Sequence, residues 1–242
     1  PGPTRLLPMV GRAPATSPRL EPLTQAGHTF ANREGEPIRS GKRGCMARQL
    51  MIRGTTIDAA RRFLLQSQGT PAYDELVEQL TPEQRALIDR PIKPSDWFPA
   101  DLYIGVLDKA AETVAGDDPA GYLARLGRFV LDDGVTSLYR AFFRIATPGF
   151  VIRGSALLWG MFFKGNKLKI LESKRRSVSA AILDSPVNSH NLCQSIVGGM
   201  QASLEHAGAK NVRYEMRNCG AGKPSDGKSC AHCDFHFTWT KR

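Results

Sequence analysis

From Met46 onward the chain is patterned throughout, first with the period of amphipathic helices and later with the alternation of half-buried strands. Thr56 to Gln68 reads as a helix with Ile57, Ala60 and Leu64 on one side and Gly69 at its end. Two short helices follow at Thr70-Pro71 and Thr81-Pro82, where Thr can cap and Pro suits the first helical position. At the second of these, Gln84 completes a capping box. Pro91 to Pro99 is a proline-punctuated connector, after which Tyr103, Val106, Leu107, Ala110 and Val114 mark a longer helix stopped by Gly116-Asp117-Asp118-Pro119. Leu123, Leu126, Val130 and Leu131 mark the next helix, and Val135, Leu138, Phe142 and Ala146 another. Thr147-Pro148 opens a further one carrying Ile152, Ser155, Trp159 and Phe163.

At Gly165 the period changes. Lys167 to Ser173 and Arg175 to Leu183 predict two strands joined by a tight turn. Leu192, Ile196, Val197, Met200 and Leu204 then define an amphipathic helix ended by Gly208. Two period-2 strands close the chain, one with Val212, Tyr214 and Met216 on a face and one with Phe235, Phe237 and Trp239. The class is α+β: an N-terminal helical block followed by a β-β-α-β-β antiparallel sheet layer, in a single domain over residues 46–242.

Composition changes this picture only at the start of the chain. Residues 1–45 hold seven of the sixteen prolines and a net charge of +4, leaving +6 of the total +10 for the rest. Such a stretch buries too little surface to offset its chain entropy, so it is expected to be a disordered Pro/Arg-rich extension, or an artefact of start-site assignment. The patterned part is only moderately basic, and nucleic acid is not expected as a partner. The most apolar run, Phe150 to Phe163, is broken by Arg153 and is too short to span a membrane. Neither a signal peptide nor a disulfide-dense cysteine framework is evident, so the expected location is cytoplasmic.

Candidate chemistry concentrates in the last quarter. Cys219 and Cys233 fall at the two ends of a hairpin connection that carries Cys230, and a hairpin brings its own ends together. Zinc takes about four soft or borderline ligands in a tetrahedron, and Cys230-x-x-Cys233 is a common half-site. Cys193 on the preceding helix, Glu215 on the strand, His232 and His236 compete for the remaining position, with Cys193 best placed. Inert buried thiols or a redox pair remain the alternatives. No Gly-rich phosphate loop, nucleophile elbow or metalloprotease motif is present, and no catalytic residues are assigned. Trp97, Tyr103, Phe142, Trp159 and Phe163 are the aromatics expected to line a pocket for a small apolar ligand. Gly198-Gly199 is read as close helix packing.

The order of these features resembles the 4-vinyl-reductase-like (hydrocarbon-binding) superfamily, and within it a paralogous family abundant in myxobacteria. The resemblance rests on Ile52-Arg53-Gly54, Trp97-Phe98-Pro99, Leu126-Gly127-Arg128, Thr147-Pro148 with Trp159, and Cys193 with Gly198. It continues in Glu215, Cys219, Cys233 and the aromatic ending. It implies a zinc ion held by three cysteines and a glutamate, which by position are Cys193, Cys219, Cys233 and Glu215. Two departures stand out: the Glu215-to-Cys219 spacing is one residue longer than the pattern, and Cys230 is an added cysteine. A four-cysteine site without Glu215 is therefore equally admissible.

The function these readings imply is a non-catalytic sensory or regulatory domain with structural zinc, acting as a homodimer or on a partner protein in trans. A ligand-free interaction scaffold and a zinc-dependent nucleic-acid binder are the alternatives.

Overall fold

The computed structural model describes residues 49–89, 91–134, 146–187, 189–219 and 231–240. All of them belong to one compact unit, Arg39–Arg242. The extension expected over residues 1–45 lies outside the described residues, as does the helix expected from Val135 to Ala146 except for Ala146 itself.

The helical block begins with strand β1 (Met51–Arg53) and helix α1 (Gly54–Glu78). Helix α1 is broken at Gly69 (φ 73°, ψ 169°), where the sequence places a stop and a Thr-Pro restart. Helix α2 (Pro82–Ile88) carries the expected capping box: Thr81 Oγ1 accepts from the Gln84 amide and Gln84 Oε1 accepts from the Thr81 amide. Strand β2 (Trp97–Pro99) leads into α3 (Ala100–Thr113), which buries Tyr103, Val106, Leu107 and Ala110 at helical spacing. Helix α4 (Pro119–Gly134) buries Tyr122, Leu123, Leu126 and Val130. Helix α5 (Pro148–Phe162) starts at Thr147, whose hydroxyl accepts from the Phe150 amide. Strand β3 (Phe163–Lys164) follows directly.

Strands β2, β1 and β3 form a small antiparallel sheet that the hydrophobic pattern does not announce. Ile52 pairs with both Phe98 and Phe163 and is fully buried. Segments of two or three residues carry no measurable alternation, which is why residues 91–99 read only as a connector.

The second sheet takes β4 (Lys167–Lys174), β5 (Ser177–Ser185), β6 (Lys210–Cys219) and β7 (Ala231–Thr240) in the order β4-β5-β7-β6, antiparallel throughout. Helix α6 (His190–His206) connects β5 to β6. The β-β-α-β-β layer and the α+β class are therefore as expected. Lys167, Lys169 and Lys174 lie exposed on the edge strand β4, where charge discourages further strand pairing.

Helices α4 and α6 approach backbone to backbone. A Cβ on Gly127 would lie 1.7 Å from the Ser195 carbonyl oxygen, and one on Gly198 would lie 1.9 Å from that of Ala124. Only glycine fits at both positions, which is the packing role the sequence suggested for Gly198. Polar ties flank this contact: Arg128 with Glu205, and His206 with Asp132.

Candidate functional site

Two features carry chemistry: an apolar cavity between the helices and the second sheet, and a group of thiols at one end of that sheet. The cavity is about 170 Å³. Val130 and Leu131 of α4, Ile152, Ser155, Leu158, Trp159 and Phe162 of α5, and Ser195, Ile196 and Met200 of α6 line it. Leu168, Ile170, Val178, Ala180 and Phe237 close the sheet side, while Ile52, Thr56 and Tyr103 come from the first helices and β1. Among the described lining residues there is no acid, lysine, arginine, histidine or cysteine.

Three of the five predicted aromatics meet there: Tyr103, Trp159 and Phe163. Trp159 and Phe163 stack at 4.3 Å between ring centroids, and the indole N–H donates to Asn166 Oδ1 at 2.9 Å. Trp97 lies instead in the small sheet, with Lys164 Nζ 4.0 Å and the Arg53 guanidinium 5.4 Å from its ring centroid. Phe142 is outside the described residues.

Two hydroxyls of the cavity wall, Thr56 Oγ1 and the Tyr103 phenol, are buried without a hydrogen-bond partner. Burial pushes the phenol's pKa up; the Ser195 side chain, near enough to act on it though not in hydrogen-bonding geometry, opposes that rise. Neither Thr56 nor Ser195 figures among the sequence candidates. The available signal was a polar residue on an apolar face, since Ser195 follows Leu192 by three and adjoins Ile196.

The thiol group forms because α6 begins where the sheet ends. Ser189 caps the helix by accepting from the Leu192 amide, which sets Cys193 in the first turn over β7. Cys193 Sγ lies 2.9 Å from Cys233 Sγ, and Cys233 Sγ lies 3.3 Å from Cys219 Sγ. Cys219 and Cys233 are direct cross-strand partners, as the hairpin argument requires. Cys193 and Cys233 are fully buried and Cys219 is half-buried. Hydrogen bonds from Cys193 and Cys233 hold the Cys219 thiol well below its ordinary range, against the opposing effect of burial; His190 in the first turn of α6 adds to the lowering. As donor to both neighbours, and buried, Cys193 is pushed up.

Glu215 does not join this group. The β6–β7 register shifts between Met216 and Asn218, so one extra residue sits in β6 and the simple alternation linking Glu215 to Cys219 fails. Glu215 pairs instead with His236 on the outer face, is exposed, and takes a hydrogen bond from Arg217 at 3.1 Å. His236, also on that face, bonds Ser179 Oγ through Nδ1 at 2.8 Å. Cys230 is outside the described residues.

The zinc expectation is accordingly corrected. Among the described residues three sulfurs converge within 4.8 Å of one another, where a tetrahedral ion needs four donors.

No family model matches the chain, and no curated protein matches it. Solved structures do match: several are H-NOX domains, and two are described by their haem, which likewise speaks against zinc. One is a variant of the T. tengcongensis H-NOX domain, 16% identical, with a TM-score of 0.56 over 78% of this chain and 98% of that one. A second is an oxygen-binding H-NOX domain related to soluble guanylate cyclases, in its oxygen complex: 13% identity, TM-score 0.55, covering 78% of this chain and 96% of that one. A third, studied for haem redox potential under protein-induced porphyrin distortion, is 13% identical with a TM-score of 0.53, covering 77% of this chain and 99% of that one. At such identities the likeness establishes the fold, and that fold is the H-NOX fold. The resemblance to the 4-vinyl-reductase-like superfamily is overturned by the same findings. Degenerate motifs such as Trp97-Phe98-Pro99 carried it, and these mark element boundaries more than ancestry. No helix among the described residues is long and apolar enough to cross a membrane.

Proposed function

We propose that the chain is a non-catalytic, small-molecule-binding sensory domain whose ligand is uncharged and largely apolar. The carrying observation is the cavity itself, walled mainly by apolar side chains, in which the hydroxyls of Thr56 and Tyr103 are buried without a hydrogen-bond partner. Buried polar groups in native proteins are almost always paired, so two orphans in one cavity wall favour a ligand that brings a polar group to them. None of the serines in the wall has a histidine or carboxylate beside it among the described lining residues, which is why catalysis is not proposed.

Haem is the first occupant to weigh, because two solved structures of this fold are described by it. Haem iron needs an axial donor, and its propionates need cations or donors. The described wall offers no imidazole, thiolate, lysine or arginine. Met161 and Met200 line it, but methionine ordinarily ligates opposite a histidine. The Tyr103 phenol is held protonated by burial. These residues do not fit a haem, and the ligand class proposed is a haem-free organic molecule. Its signal would pass to a second copy of the chain or to a partner protein.

The test is native mass spectrometry together with titration of an uncharged lipophilic probe, N-phenyl-1-naphthylamine. Wild-type protein should bind the probe or carry a bound mass lost on denaturation. Ser155→Phe, which fills the cavity from a half-buried position, should abolish both while the protein stays folded. Binding unaffected by Ser155→Phe, or no binding at all, overturns the proposal.

A further inference from the structure

We propose that Cys219, Cys233 and Cys193 form a peroxide-reactive thiol centre, in which a hydroperoxide oxidises Cys219 and Cys233 resolves it as a disulfide. Three thiols have no packing reason to meet: a single small side chain would fill each position equally well. Here their sulfurs lie within 4.8 Å of one another. The arrangement is also graded, with Cys219 half-buried at the end of β6 and the two thiols behind it buried completely. Redox-responsive cysteines combine access with a resolving thiol close by, and Cys219 has both.

The backbone is already compatible with the bond. Opposed residues of antiparallel strands have Cα atoms about 4.5–5.5 Å apart, inside the range of about 4.4–6.8 Å that disulfides use. Cys219 and Cys233 are such a pair, with sulfurs 3.3 Å apart. In the first step the Cys219 thiolate attacks the terminal oxygen of the hydroperoxide. The S–O bond forms as the O–O bond breaks, sulfur loses two electrons, and the departing alkoxide or hydroxide takes a proton from water. In the second step Cys233 sulfur attacks Cys219 sulfur. The S–S bond forms, the S–O bond breaks, and the hydroxide leaves with the Cys233 proton as water. Cys193, 2.9 Å from Cys233, can then exchange onto it and return its proton to Cys219. That exchange would tie α6, a wall of the cavity through Leu192 and Ser195, covalently to the sheet.

The experiment treats reduced full-length protein with hydrogen peroxide, with dimedone as the sulfenic-acid trap and non-reducing peptide mapping as the readout. The expected product is a disulfide in which Cys233 is joined to Cys219 or Cys193. Cys219→Ser should slow peroxide consumption roughly tenfold or more. Cys233→Ala should leave a dimedone adduct on Cys219 and no disulfide. A background carrying both Cys45→Ser and Cys230→Ser should respond like wild type. If Cys233→Ala does not fold by circular dichroism, the rate for Cys219→Ser, at its half-buried position, decides the matter. A disulfide or sulfenic acid on Cys45 or Cys230, an undiminished rate in Cys219→Ser, or thiols that react only after a chelator is added would overturn the proposal.

Discussion

Replacing Tyr103 by Phe removes one oxygen and nothing else from a fully buried ring. In most proteins the loss of a buried tyrosine hydroxyl breaks a hydrogen bond and destabilises. Here the hydroxyl has no partner, so the sign should invert. An unsatisfied buried hydroxyl costs about 1–3 kcal/mol. Ligand-free Tyr103→Phe protein should therefore be more stable than wild type by roughly 1 kcal/mol, which raises Tm by about 2–4 °C for a domain of this size. Differential scanning calorimetry on ligand-stripped protein measures it, with urea unfolding as the cross-check. The pH dependence supplies a second sign. Burial raises the phenol above its ordinary value of 10.0, so the folded state holds the proton more tightly than the unfolded one. That contribution is complete below about pH 10 and is lost as the pH rises further. Tyr73 and Tyr214 are raised for the same reason, so Tyr103→Phe should remove part of the alkaline loss and leave the rest. A variant less stable than wild type by about 1 kcal/mol or more would refute the reasoning, because it would mean the hydroxyl is satisfied in the ligand-free protein.

Two further outcomes follow from the geometry. Gly127→Ala and Gly198→Ala drive a methyl into the backbone of the facing helix and should each destabilise by about 1–3 kcal/mol in chemical denaturation. Gly160→Ala, in α5 with nothing within 4 Å of the added methyl, should stabilise by about 0.5–1 kcal/mol, and equal effects at the three sites would refute the packing account. Titration with haem should give no saturable one-to-one complex with a sharp Soret band; such a complex would refute the reading of the cavity wall.

Much of the architecture was legible because long elements repeat their signal. The apolar stripes of α3, α4 and α6, and the alternation of β6 and β7, each carry several residues that agree. The caps at Thr81 and Thr147 were legible for a different reason, since a side chain bonding its own helix needs only local spacing. What the sequence hid was set by contacts between distant segments. Strands β1, β2 and β3 are too short for a period, and their pairing through Ile52 joins residues far apart in the chain. The cavity was half visible: aromatics such as Tyr103 and Trp159 draw attention by size, whereas Thr56 matters through an absence of partners that only packing reveals. At the thiol group, Cys193, Cys219 and Cys233 could be brought together by topology alone, but Glu215 was assigned by the resemblance, on a strand whose register shift turns it to the outer face.

That irregularity in β6 bears on how relatives of this chain could be recognised. Met216 and Cys219 both face inward opposite Phe235 and Cys233, although three positions separate one pair and two the other. Deleting Arg217 would restore a regular strand and leave Cys219 opposite Cys233, so a homologue one residue shorter there could keep the same arrangement of sulfurs. An insertion or deletion between Glu215 and Met216, by contrast, would move either the aromatic stretch or the cysteine to the wrong side. Spacing between a glutamate and a cysteine is thus a poor signature for this hairpin. An alignment anchored on Tyr214, Met216 and the cross-strand cysteine pair, with one gap allowed at position 217, would find descendants that a fixed-interval pattern passes over.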